Sequence, residues 1–87
     1  MWVQTETALV NLDETFTVGK IPVRGEVGVY RLIAEPANDA NSIIVLATEP
    51  EPVIDFLMYS IVRQLNVTYG RQKVLSLSQL VKDFNKA

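Results

Sequence analysis

At Thr48-Glu49-Pro50-Glu51 the apolar pattern of this chain changes period. Before that point apolar residues recur at every second position, the spacing of a strand with one covered face. After it they recur at three and four, the spacing of one helix face. Parallel βαβ units would alternate helix and strand from the start, and this order does not. The order predicts an α+β fold. An antiparallel β-meander of about four to five strands is expected, with two helices from the C-terminal half packed on one face.

The first half supplies the strands. Trp2-Val3 opens a short one, and Ala8 to Leu12 follows a polar Thr5-Glu6-Thr7 turn. Phe16 and Val18 alternate with Thr15 and Thr17, which suits one wet face. Pro22 cannot donate to a ladder, so Ile21-Pro22-Val23 is expected at an edge or in a connection. After an Arg24-Gly25-Glu26 turn, Val27 to Glu35 forms a long strand whose only interior charge is Arg31. Pro36 to Asn41 is dense in turn formers and predicts a hairpin loop. Ser42 to Ala47 is nearly all apolar and rich in β-branched residues, the composition of a central strand covered on both faces.

Two capping boxes announce the helices. In the first, the Thr48 hydroxyl would accept an orphan amide proton while Glu51 reaches back, with Pro50 tolerated in the opening turn. Ile54, Leu57, Met58, Ile61, Val62 and Leu65 then repeat on one face, leaving Val53 and Phe56 beside the stripe and Asn66 as the stop. In the second, Ser76 and Gln79 form the box and Leu75 with Leu80 stands at staple spacing. Leu77, Leu80, Val81 and Phe84 make its apolar stripe. Between them Val67 to Gln72 reads as a loop and Lys73 to Leu75 as one further short strand.

Composition limits the chemistry. Eighty-seven residues suffice for one domain, 1–87, and not comfortably for two. The chain has neither cysteine nor histidine. Ser-His-Asp and Cys-His catalysis and the common zinc sites are thereby excluded within one chain, and no cofactor or metal is expected. A net charge of −2 gives no broad cationic field to gather nucleic acid or anionic lipid. The N-terminus has no basic flank or long apolar run, and the most apolar stretch, Val53 to Val62, is too short to span a bilayer. The expectation is a soluble, unprocessed, cytoplasmic protein that does not touch a membrane. Apolar residues make up 48% of the chain, so part of that surface is expected to meet another copy or a partner.

Asp13-Glu14 and Glu49 with Glu51 are the obvious acid pairs, but neighbours in a strand point to opposite faces and helix capping explains the second pair. The loop Asn38 to Ser42 offers oxygens to a hard cation without the spacing of an EF-hand. Gly19-Lys20 lacks the rest of a phosphate loop, and Asn66-Val67-Thr68 is a glycosylation triplet without a secretion signal. Arg63, Tyr69, Arg71 and Lys73 place cations around an aromatic, a weak anion or nucleic-acid contact in an acidic chain, whose bland reading is a solvated loop. Trp2, Val53 and Phe56 are candidates for an interface, with the core as the competing place for each. Arg31 inside an apolar strand needs either a partner, such as Glu35, Asp55 or a neighbouring subunit, or a wet edge.

The opening Met1-Trp2-Val3-Gln4-Thr5 followed by Leu9-Val10-Asn11-Leu12-Asp13 resembles small bacterial and cyanobacterial proteins of no assigned function. That resemblance implies a tryptophan-bearing strand, a β-meander and then a helix across the first two thirds of the chain. It implies no activity, and from Val67 onward the sequence departs from the pattern. Two functions are expected in order. The first is a non-catalytic interaction module that self-associates or binds a protein partner through a sheet edge or the first helix around Val53 and Phe56. The second is a small carboxylate- and arginine-based enzyme or ligand binder using Asp13, Arg31 and Asp55.

Overall fold

The computed structural model describes residues 1–12, 16–37, 41–67 and 74–86, the side chains of 65–67 aside. Expectations resting on Asp13, Glu14, Thr15, the 38–40 loop, residues 68–73 and the side chains of Leu65 and Asn66 lie outside the described residues. The elements run β1 (Trp2–Gln4), β2 (Leu9–Asn11), β3 (Phe16–Pro22), β4 (Val29–Pro36), β5 (Ile44–Pro50), α1 (Glu51–Val67), β6 (Val74–Ser76) and α2 (Leu77–Lys86). The α+β class and the antiparallel β3-β4-β5 meander are as expected, with both helices packed against the strands. The strands nevertheless divide into two sheets, of order β2-β1-β6 and β3-β4-β5. In the smaller sheet β6 runs parallel to β1, pairing Trp2 with Val74 and Gln4 with Ser76, so that residues far apart in the chain share one sheet.

The larger sheet has one covered face. In-register pairs bring Val18 beside Ala34, and Leu32 beside both Lys20 and Ala47, on the side that meets α1. There Leu32 and Ala34 join Val53, Ile54, Leu57 and Ile61 of α1, with Val3, Leu12 and Leu77 closing the core. The opposite face carries Ile21, Val29, Arg31, Ile33, Glu35 and Val45, and none of its apolar members belongs to that core.

The strand from Ser42 to Ala47 is not central: among the described residues β5 pairs with β4 alone and forms an edge, with Ile43 and Val45 about half exposed. Its unbroken apolar run has a different cause. The register slips between Leu32 and Ile33, leaving Leu46 as an extra residue. A bulge of this kind turns two successive side chains to one side. Leu46 is accordingly buried and Ala47 packs against the core beside it.

The Thr48 capping box is also absent. Thr48 is still in β5, opposite Arg31, and the ladder continues to Pro50, opposite Val29. The first helical amide, that of Glu51, donates instead to the Gly28 carbonyl at 3.0 Å. Gly28 reaches that position at φ 80°, in the turn that also holds Gly25 at φ 86°, a region open to glycine and strained for other residues. The second box forms by half. The Gln79 amide donates to the Ser76 hydroxyl at 3.3 Å, while the Gln79 side chain donates to Asp83 rather than reaching back.

On α1 the buried arc is turned relative to the sequence stripe. Val53 is 5% exposed and Val62 is 55% exposed. The cause is α2, which packs on the Phe56 side and sets Phe84 against Phe56 with ring centroids 5.4 Å apart. The Ser60 hydroxyl on that side is satisfied internally by the Phe56 carbonyl.

Candidate functional site

The titratable residues come first, because chemistry would need them together. Lys20 donates to Asp55 at 2.7 Å and to Glu51 at 2.9 Å, with its ammonium 5.4 Å from the centre of the Tyr30 ring. Asp55 first, then Glu51, holds the ammonium well above the ordinary lysine range. The cluster ties β3 to the opening turns of α1 and so serves the fold, in the way a partly solvated ion-pair network does. Arg31 lies on the other face of the sheet, exposed, and is not brought to Asp55. Asp13, the third member of the expected acid and arginine set, is outside the described residues. Among the described residues no group of three potential ligands could hold a metal ion.

The expected interface residues are also dispersed. Val53 is in the core, Phe56 is half-buried against Phe84, and Trp2 is half-buried in β1 between Asn11 and Val74. Of the cationic set, Arg63 is exposed on α1, while Tyr69, Arg71 and Lys73 lie outside the described residues. No helix among the described residues is long and apolar enough to cross a membrane.

The structure draws attention to a different place. Along the free edge of β5 runs a groove of about 370 Å³, lined by Val45 to Glu49 on one side and by Leu77, Ser78, Val81 and Lys82 on the other. The turn Thr5-Glu6-Thr7 borders it. Each wall has a local reason. Because the smaller sheet pairs β6 with β1 and α2 starts directly after β6, the first turns of α2 are held beside that turn. The turn itself is fixed by Thr5, whose hydroxyl oxygen accepts from the Thr7 and Ala8 amides at 3.2 and 2.9 Å. Leu46 and Leu77, at 4% and 2% exposure, give the groove an apolar floor, while Glu6 and Lys82 are exposed on its margins. None of Glu6, Glu49 and Lys82 makes an ion pair among the described residues.

Two features decide what such a groove can do. A strand that pairs on one side only leaves alternate backbone N–H and C=O groups facing outward, a template for another extended chain. Five lining residues of β5 span about 17 Å at about 3.3 Å each, enough to pair with a short extended segment. The helix opposite then supplies apolar contact for every second side chain of that segment, which is the geometry of strand addition between an edge and a helix.

Sequence reasoning missed this groove because its walls come from three distant segments that no local pattern brings together. The strand-closing prolines were no guide to the edge, since Pro36 closes the central β4 as Pro50 closes β5. Comparison with known proteins adds no relative: no family model, no curated protein and no solved structure matches the chain.

Proposed function

We propose that this chain is a non-catalytic interaction module that binds an extended segment of a partner protein by adding it to β5. The observation that carries the reading is the unpaired β5 edge facing α2 across a groove with a Leu46 and Leu77 floor. Main-chain hydrogen bonds would supply affinity with little demand on sequence, and the apolar floor would select one or two aliphatic side chains at alternate positions. The acidic residues Glu6 and Glu49 favour a basic residue beside them, and Lys82 an acidic one at its margin. We place the module in the cytoplasm, since a chain without cysteine has no disulfide to lose in a reducing compartment.

A display selection of nine-residue peptides against the whole chain tests the reading. Selected peptides should show alternating aliphatic residues, and their resynthesised forms should bind with micromolar dissociation constants by calorimetry. Methylating the backbone nitrogens on one edge of such a peptide should weaken binding at least tenfold, and methylating those on the other edge should not. Failure to enrich any peptide, or indifference to methylation of either edge, would remove the proposal.

A further inference from the structure

A second surface, sharing only Val45 with the groove, points to a second copy of this chain. The face of the β3-β4-β5 sheet turned away from α1 carries Ile21, Ile33 and Val45 with Arg31 and Glu35 on the same side. Ile33 is buried at 8% exposure, outside the cluster around α1, while Ile21 and Val45 are 40% and 50% exposed. Arg31 and Glu35 flank Ile33 on the central strand, two residues to either side. Neither has an ion-pair or hydrogen-bond partner among the described residues. At about 3.3 Å per residue they are about 13 Å apart, too far to pair with each other.

That arrangement is self-complementary. A two-fold axis through Ile33, lying in the plane of the face and perpendicular to β4, sets β4 antiparallel to its counterpart. Arg31 then meets the second copy's Glu35, and Glu35 meets its Arg31, as an isologous interface requires. Facing sheets stand about 10 Å apart and cross at about 30°, which displaces residues 7 Å from the axis by only about 3 Å. An arginine and a glutamate reaching towards one another span such a gap. Other orientations oppose like charges, or bury each charge against isoleucine.

We infer that this face is a dimerisation surface, closed by two symmetric Arg31–Glu35 pairs around Ile33. The dimer is a weak one. Three strands of seven or eight residues present about 15 × 25 Å, so two copies bury about 750 Å², below the roughly 1,200 Å² of standard stable interfaces. It is therefore populated at high concentration and low salt, where its charge pairs are least screened.

Sedimentation equilibrium of the whole chain tests this, because opposite reversals can be made to complement one another. Wild type should rise from the monomer mass of 9.7 kDa towards twice that value as concentration increases from micromolar to millimolar. Arg31→Glu makes the pairing residues all acidic and Glu35→Arg makes them all basic. Each alone should weaken self-association at least tenfold, with far-ultraviolet circular dichroism unchanged. An equimolar mixture of the two should associate at least as tightly as wild type. Should either reversal unfold the chain, Ile21→Lys, on the same face at 40% exposure and outside the groove, provides the second variant and should likewise weaken the dimer tenfold. A wild type that stays monomeric to millimolar concentration, a mixture that does not associate, or variants that dimerise as wild type does would each overturn the inference.

Discussion

Val53 and Val62 are the same residue on the same helix, nine positions and so about 180° apart around its axis. The structure assigns them opposite fates, with Val53 at 5% exposure in the core and Val62 at 55% in solvent. Truncating each to alanine therefore separates the structural account from the sequence stripe, which favours Val62 as the buried one. Val53→Ala removes two buried methyl groups, costing about 1.6 kcal/mol in transfer at about 0.8 kcal/mol per carbon. The incompletely filled space adds to that, for a total of about 2 kcal/mol. Val62→Ala should stay within about 0.5 kcal/mol of wild type, and its higher helix propensity favours the stabilising side. A chain of this length holds only about 4–13 kcal/mol in all, so the buried truncation is readily measured. In urea, with a slope of about 1 kcal/mol per molar, the Val53→Ala midpoint falls by about 2 M while that of Val62→Ala hardly moves. In a thermal scan the first loses about 8–16 °C. Trp2, the single tryptophan, gives a fluorescence signal for the same transition from the smaller sheet. Equal destabilisation by the two substitutions, or a larger effect at Val62, would refute the packing of α2 on the Phe56 side of α1.

Two further predictions concern the helix ends and the ion cluster. Ser76→Ala should cost about 1 kcal/mol in urea unfolding, because the hydroxyl that satisfies the Gln79 amide is lost. Thr48→Ala should cost no more than a few tenths, because Thr48 caps nothing and its exposed side chain stands in β5. The ion cluster gives a pH signature. Folding raises the Lys20 pKa above its ordinary value of 10.5, through Asp55 and then Glu51, so its stabilisation is fully present below that value. The difference in urea midpoint between wild type and Lys20→Met should thus be flat from pH 7 to about pH 10. It should shrink as pH rises beyond 10.5, where the unfolded lysine loses its proton and the folded one keeps it. A difference that grows in alkali would contradict the sign.

The parts of this fold that sequence made legible are those fixed by local chemistry. The Thr5 turn, the long strand ending near Pro36, the two helices and the Ser76 cap all depend on residues within a few positions of one another. What stayed hidden depends on partners far along the chain. Three residues of β6 say nothing of whether they will lie beside Trp2-Val3-Gln4, or in which direction. The apolar run before Thr48 looks doubly covered because periodicity cannot show that a bulge turns Leu46 and Ala47 to one side. The Thr48 cap was displaced because ladder pairing with β4 satisfies that backbone first and carries the strand on to Pro50. The buried face of α1 is turned about 60° from its apolar stripe because a helical stripe records how many apolar residues there are, not how many neighbours will cover them. The groove and the uncovered face are products of those same long-range choices, which is why ordinary threonine, leucine and valine residues line one of them.

The proposed function requires β5 to accept another backbone. Isotope-filtered nuclear Overhauser spectroscopy on the chain with a bound, selected peptide measures that directly, through short proton distances between the two main chains. Cross-strand contacts from the peptide to the amide and α protons of Val45 to Glu49, with peptide side chains touching Leu77 and Val81, are the predicted result. A peptide that binds as a helix, or that contacts the protein away from the β5 edge, would contradict it.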